Sequence, residues 1–285
     1  MRNFCIIANA AKEGSRKKAA EICSYLAERG CTASLYPGEY YPYGNRGISE
    51  KKLDPSLECI LVLGGDGTLI QVCRDMLNCQ HPVYGINMGT VGYLMEVDAG
   101  NYHQALDSMI AGRCQISRRM MIEGEVIREG EVLYRDVALN DIVLNRSGSK
   151  NIIRFNLYVN GEPVNKYNAD GIIVATPTGS TAYNLSAGGP IVSPEASLFV
   201  VTPICPHTIS SRSVVLQDGI VIELEVDAAF RGGCYSVLHF DGGSHIDLIP
   251  GDRVRIYKSQ HKAQLVRTTK ESFLDVLRHK MYEGG

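Results

Sequence analysis

Apolar positions in the first third of the chain follow two alternating rhythms. Phe4–Ala8, Cys59–Leu63 and Val83–Ile86 are short unbroken apolar runs, the pattern of strands buried on both faces. Elsewhere apolar residues recur every three or four positions. Ala19, Ile22, Cys23, Leu26 and Ala27 do so within 14–30; Leu69, Val72, Cys73, Met76 and Leu77 within 69–79; Ala105, Leu106, Met109 and Ile110 within 101–111. These stretches read as amphipathic helices, the first stopped by Gly30. Tyr40–Gly47, rich in Tyr, Pro and Gly, reads as a loop. Strands alternating with helices predict a parallel sheet covered on both faces, with any ligand beyond the carboxyl ends of its strands.

The rhythm changes near Cys114. Ile152–Val159 alternates and runs into Asn160-Gly161, the favoured two-residue hairpin turn. Further strand-like runs are Ile172–Ala175, Leu198–Val201, Ile220–Val226, Tyr235–Phe240 and Val254–Tyr257. Turn signals lie at Gln217-Asp218-Gly219, Asp241-Gly242-Gly243 and Pro250-Gly251-Asp252. This predicts an all-β second domain. Helical spacing returns in 271–282 with Phe273, Leu274, Val276 and Leu277. The expected division is a Rossmann-like α/β domain over 1–114, a β-rich domain over 115–262, and a segment over 263–285 whose helix returns to the first domain.

Composition narrows the function. The 285 residues carry 29 Lys and Arg against 31 Asp and Glu, a net charge of −2. Nucleic acid as the main partner would favour a basic surface, so small ligands held by local geometry are favoured instead. No apolar run approaches 18 residues, so no membrane span is expected. Nine cysteines without a CxxC pair read as reduced thiols, and the histidines show no metal-ligand spacing. The apolar start of the chain meets Lys12 at once, as a first strand does and a signal peptide does not. A cytoplasmic protein without a metal site of its own is expected.

The chemistry concentrates in a few places. The Cys59–Leu63 run drives into Gly64-Gly65-Asp66-Gly67-Thr68, a strand–glycine–helix junction whose amides can face an anion. No GxxxxGK[ST] occurs, and no third glycine completes a dinucleotide fingerprint. Asp66 would repel a phosphate, so its presence fits one of three tasks: holding Mg²⁺, accepting a ribose hydroxyl, or taking a proton from an attacking hydroxyl. Asn140-Asp141 interrupts the apolar Leu139–Val143 and suits either a pair of ribose hydroxyls or a strand-end cap. The segment 168–190 follows with hydroxyls, small residues and glycines around the Ile172–Ala175 strand. Its hydroxyls and loop amides suit phosphate or amide groups, and neither Ser180 nor Ser186 sits in a G-x-S-x-G elbow. His207 reads as a structural histidine rather than a base.

Taken together, these segments resemble the NAD kinase family. The matching stretches are LGGDGT (63–68), GINMGTVGYL (85–94), LNDIV (139–143), DGIIVATPTGSTAYNLSAGGPIV (170–192), PICPHTISSR (203–212) and FLDVLRHK (273–280), in the family's order across almost the whole chain. The resemblance implies phosphorylation of the adenosine ribose 2′-hydroxyl of NAD by ATP with Mg²⁺, giving NADP. It implies Asp66 as general base beside the dinucleotide, with Gly65, Gly67 and Thr68 shaping the ATP phosphate site and Gly67 also at the dinucleotide. It gives Asn140 and Asp141 to the ribose hydroxyls and Asp170 to the nicotinamide amide. Thr181, Ala182, Tyr183 and Ser186 would line the adenine and nicotinamide pockets. Cys205 takes a small-residue position near the dinucleotide, and Asp241 a further polar contact. A homodimer or homotetramer is implied. The family's usual Asn-Glu is Asn140-Asp141 here, one methylene shorter, which moves the ribose contact by about an ångström or routes it through water. The alternatives are a lipid or sugar kinase sharing the GGDG turn, which lacks the TPTGSTAYNLSAGG block, and a non-catalytic nucleotide sensor.

Overall fold

The computed structural model describes residues 1–42, 48, 53–78, 81–89, 92–148, 152–208, 211–227, 235–269 and 271–282. The far end of the 40–47 loop, Cys79, Thr90-Val91 and Ile209-Ser210 lie outside the described residues. The chain forms two compact units, Met1–Arg119 with Ala263–Gly285, and Met120–Lys262.

In the first unit the elements run β1 (Asn3–Ala8), α1 (Ser15–Ala27), β2 (Thr32–Leu35), β3 (Cys59–Gly64), α2 (Asp66–Asp75), β4 (Val83–Asn87), β5 (Val97–Asp98) and α3 (Tyr102–Ile110). Strands β2, β1, β3 and β4 lie side by side in that order, all parallel, and β4 also carries β5. Alternation divides the buried strands between two faces. Phe4, Ile6, Leu61, Leu63, Tyr84 and Ile86 pack with Ala19, Ile22 and Leu26 of α1 and Leu106 and Met109 of α3. Gly85 points the other way: a Cβ there would strike the Leu69 side chain of α2. The helices therefore cover both faces, as the apolar periods predicted.

The chain leaves β1 for β2 on one side and reaches β3 on the other. That reversal opens a crevice at the carboxyl ends of β1 and β3, the place where open α/β sheets bind ligands. The start of the second helix differs from the sequence reading. Helix α2 begins at Asp66 rather than near Leu69, with Gly65 extended as its N-cap (φ −128°, ψ −177°) and the Thr68 hydroxyl reaching back to the cap amide. The glycine turn is the first turn of the helix.

The second unit carries strands β6 (Gln115–Arg128), β7 (Glu131–Ala138), β8 (Asp141–Ser147), β9 (Ile153–Val159), β10 (Glu162–Ala169), β11 (Gly171–Ala175), β12 (Leu198–Ile204), β13 (Val214–Gln217), β14 (Val221–Val226), β15 (Tyr235–Phe240), β16 (Ser244–Leu248) and β17 (Arg253–Arg267). The chain enters it within β6 and leaves within β17. A short helical segment, a 3₁₀ turn over Thr178–Thr181 and α4 (Tyr183–Ser186), lies between β11 and β12. One sheet has the order β13-β12-β11-β8-β15-β16, entirely antiparallel. Opposite it run β10-β9-β14-β17. Phe155, Leu157, Ile222 and Leu224 from the second group meet Ile142, Leu144, Ile172, Val174, Leu238 and Phe240 from the first in one core.

Three hairpins turn through paired positive-φ residues: Glu129-Gly130 (53°, 87°), Asn160-Gly161 (51°, 81°) and Asp241-Gly242 (50°, 68°). This backbone matches the twist of the flanking strands. The β17 strand runs 15 residues, far beyond the predicted Val254–Tyr257; its buried positions change from Val254 and Ile256 to Ser259, Ala263 and Leu265, and polar Lys258, Gln260 and Lys262 fall where the first alternation would place apolar residues, which hides the continuation in the sequence. Helix α5 (Phe273–Tyr282) follows it.

Candidate active site

At the rim of the first unit, α2 presents its N-terminus. The amides of Asp66 and Gly67, at the first two helical positions, have no carbonyl one turn back to bond, and the helix dipole adds positive potential there. Space beside Gly65 is open, since a Cβ built there meets nothing within 4 Å. Asn9, just past β1, ties the crevice together: its Nδ2 donates to Thr68 Oγ1 at 2.9 Å and its backbone N–H to Leu63 O at 2.9 Å. Thr68 is thus turned inward and buried, fixing the turn's shape rather than offering its hydroxyl outward. Lys12 brings positive charge to the same rim, close enough that a Cβ on Gly89 would lie 3.4 Å from its Nζ.

Asp66 is more constrained than its sequence position suggested. Its Oδ2 accepts the Tyr93 N–H at 2.6 Å, and Oδ1 accepts those of Leu94 and Met95 at 3.2 and 3.3 Å. A Cβ on Gly92 would collide with that carboxylate, so the glycine is required by close approach. Asp66 therefore sits at the end of β3 with its direction set by a segment beyond β4. Asn87, the last residue of β4, is buried and closes its own turn, donating to Gly89 O at 2.7 Å and Asp98 Oδ1 at 2.9 Å.

In the second unit a cavity of about 520 Å³ opens on the face of the six-stranded sheet away from the main core. Its floor is made by alternate residues of two neighbours: Asp141, Val143 and Asn145 from β8, His239 from β15, and Asp241-Gly242 from the turn beyond. Asn140, Ala182 and Tyr183 complete the lining. The positive-φ turn aims Asp241 back at the β8 entry. Its carboxylate accepts the amides of Leu139 (2.8 Å), Asn140 (2.7 Å) and Asp141 (3.0 Å). Gly179 is held against Asn140, since a Cβ would overlap the Asn140 carbonyl, and Thr176 Oγ1 donates to Leu139 O at 2.6 Å.

The electrostatics follow from burial. Asp141 is 5% exposed, and its desolvation, aided by the Asp241 charge, pushes the carboxyl up to about 8. It is a neutral acid at pH 7, able to donate one hydrogen bond and accept others. His239 is lowered below the ordinary 6.5 by burial and then by His245, whose ring centre lies 5.7 Å away, so it presents a neutral imidazole. Asn140 Oδ1 is buried with no partner, an orphaned acceptor beside the cavity. Among the described residues the lining holds no Lys or Arg. Such a set suits the hydroxyls and uncharged polar groups of a nucleoside better than its phosphates.

The structure thus gathers Asn140, Asp141, Ala182, Tyr183 and Asp241 around one cavity. Asp170, Thr181, Ser186 and Cys205 are not in its lining. Asp170 pairs with Arg146 at 2.8 Å, the Thr181 hydroxyl donates to Thr178 O at 3.4 Å, and Ser186 and Cys205 are exposed, Cys205 at φ 44° just after β12. Sequence reasoning missed Asn145, His239 and Lys12. The first two reach the cavity through the register His239↔Val143, which no linear spacing reveals.

Among the described residues no three acidic, His or Cys side chains gather as a metal cage. Mg²⁺ commonly binds through substrate phosphates with one or two carboxylates. The open α2 N-terminus with Asp66 beside it fits a cation carried in on a triphosphate.

Comparison with known proteins gives the same direction. The family model of the ATP-NAD kinase N-terminal domain matches residues 4–114, and that of the ATP-NAD kinase C-terminal domain matches 139–268. The NAD kinase of Lachnospira eligens is 40% identical, covering 99% of this chain and all of the relative. That of Symbiobacterium thermophilum is 38% identical, covering 99% of each. Among solved structures, yeast NADH kinase complexed with NADH is similar at a TM-score of 0.85 with 25% identity, over 100% of this chain and 88% of that one. An NAD kinase from Archaeoglobus fulgidus in complex with ATP gives 0.75, also at 25% identity, over 98% of each. The chain belongs to the ATP-NAD kinase family.

Proposed function

We infer that the chain is an NAD kinase: it transfers the γ-phosphoryl group of ATP to NAD, giving NADP. The observation that carries the reading is the pairing of motifs with built geometry. A carboxylate at an open helix N-terminus is locked by three amides, and the cavity of the second unit carries an orphaned acceptor and a neutral acid.

The acceptor is the adenosine ribose 2′-hydroxyl. Phosphoryl transfer asks mainly for alignment and charge neutralisation. The amides of Asp66 and Gly67 would face phosphate oxygens across the space beside Gly65, with Lys12 adding charge. The triphosphate, with Asp66 as the carboxylate at the turn, would hold Mg²⁺, which would supply neutralisation of the phosphate charge. Asp66 orients the reacting hydroxyl and receives its proton late, as the new bond to phosphorus forms. In the other unit Asn140 and Asp141 hold the ribose hydroxyls, Asp141 donating through its acid proton, with Ala182 and Tyr183 against the base. Asp241 acts through the amides it grips. Asp170, Thr181, Ser186 and Cys205 keep the dinucleotide roles that the family resemblance gives them. The same resemblance supports a homodimer or homotetramer. No described helix is long and apolar enough to cross a membrane.

The test is an acceptor panel. The purified chain is given MgATP with NAD, NADH, diacylglycerol or fructose 6-phosphate, and product is assayed for each. NADP from NAD, lost when EDTA removes Mg²⁺, is the expected result. Phosphorylated lipid or sugar without NADP favours the other GGDG kinases, and NAD binding without turnover favours a sensor.

A further inference from the structure

We propose that Glu96 is a positioning residue for the phosphoryl transfer, holding from behind the amides on which Asp66 rests. The proposal builds on the reading of Asp66 given above.

Glu96 follows directly on the three residues whose amides Asp66 accepts. Its side chain is only 5% exposed. Oε1 accepts the backbone N–H of Thr268 (2.9 Å) and Thr269 (2.9 Å) and the Thr269 hydroxyl (2.8 Å). Oε2 lies 2.7 Å from Arg267 Nε. All four contacts go to one short stretch at the end of β17 and just beyond, some 172 residues away in sequence. That stretch is itself fixed, because the Thr268 hydroxyl and the buried Tyr84 phenol are hydrogen-bonded at 2.9 Å.

The peptide around Glu96 lies flat on β4. Its N–H donates to Gly85 O at 3.1 Å, and a Cβ on Gly85 would strike the Met95 sulfur. Lys280 of α5 stands over the Tyr93 ring, 5.2 Å from its centre. Residues 93–96 are therefore gripped on one side by the Asp66 carboxylate and on the other by 267–269 and α5.

A buried ion pair is a poor device for stability alone, since an apolar side chain of similar size serves as well or better. What it adds is direction. Three hydrogen bonds at fixed angles, with the Arg267 charge beside them, hold the Tyr93, Leu94 and Met95 amides in one arrangement, and those amides set the angle at which Asp66 meets the reacting hydroxyl. Small displacements at such positions are expensive in rate, about a hundredfold for roughly 1 Å.

Three variants of the full chain test this: Glu96→Gln, Glu96→Ala and Thr269→Val. Each is assayed for NADP formation across NAD and ATP concentrations, with thermal melting to confirm the fold. Gln keeps an oxygen for the two amides and loses the Arg267 pairing; Val removes one donor. The expected result is a graded fall in kcat, about two- to fivefold for Val, about tenfold for Gln and about a hundredfold for Ala, with both KM values within about twofold. A kcat within about twofold of the parent in all folded variants, or a loss carried by KM alone, overturns the proposal. If Glu96→Ala fails to fold, the Gln and Val variants decide by the same criteria. A parent chain that makes no NADP overturns the kinase reading itself, whereas an active parent with indifferent variants overturns only the role of Glu96.

Discussion

Three aspartates, all short carboxylates beside backbone amides, acquire different chemistry from their surroundings. Asp66 and Asp241 each accept three amide hydrogens and serve as anchors of loop geometry. Asp141, one turn of hydrogen bonding away from Asp241, spends its amide on that anchor and leaves its carboxyl buried and facing the cavity. Folding keeps Asp141 protonated, raising it from the ordinary 3.8 to about 8. Its contribution to stability is therefore full below 3.8, falls as pH climbs to about 8, and is level beyond. Replacing it with neutral Asn removes that loss. The expected outcome is that Asp141→Asn is more stable than the parent at pH 8 and melts at a higher temperature there. The margin should shrink toward pH 4. Melting curves at pH 4, 6 and 8 check it, and a margin that does not change with pH contradicts the buried-acid account.

At the scale of elements, the segment between β11 and β12 shows why a loop rich in small and hydroxyl residues can be rigid. Asn184 is fully buried. Its Nδ2 donates to Ser180 O (3.0 Å) and Pro190 O (3.1 Å), and its Oδ1 accepts the Thr202 hydroxyl at 2.7 Å. Gly189 is pressed against the same amide, with no room for a Cβ. Asn184→Ala would strand these groups in a dry setting and loosen Ala182 and Tyr183 over the cavity. A loss of about 2–4 kcal/mol is expected from two or more unsatisfied buried groups, measured by urea unfolding, with a raised KM for NAD. The apolar periods predicted the α/β unit because its strands and helices each bury a continuous face. They did not reveal β6 and β7, whose hairpin turns on Glu129-Gly130 and exposes Val132 and Leu133. Nor did they reveal the start of α2, where capping by Gly65 and Thr68, not hydrophobicity, sets the boundary. Of the candidate site, Asp66, Asn140 and Asp141 were legible because each lies in a contiguous polar interruption of an apolar run, whereas Asp241 read as a turn residue and only the family resemblance gave it a polar contact. His239 and Asn145 were not, because only the β8–β15 register brings them beside those residues.

For the molecule as a whole, the two units divide the chemistry. The first carries the anion-facing helix end and the constrained carboxylate; the second carries the cavity with the neutral Asp141 acid and the orphaned Asn140 acceptor. The full-length similarity to NAD kinases joins these into one reaction. The central claim is that Asp66 takes part in the transfer itself and is more than a clamp on residues 93–95. The direct measurement is the single-turnover rate of NADP formation by Asp66→Asn at saturating NAD and MgATP, alongside its affinity for NAD. Asn keeps one oxygen for the Leu94 and Met95 amides and cannot take the proton. The account predicts a rate about 10²–10⁴-fold below the parent, the usual range for a lost acid–base group, with NAD affinity little changed. A rate within about tenfold of the parent would contradict it.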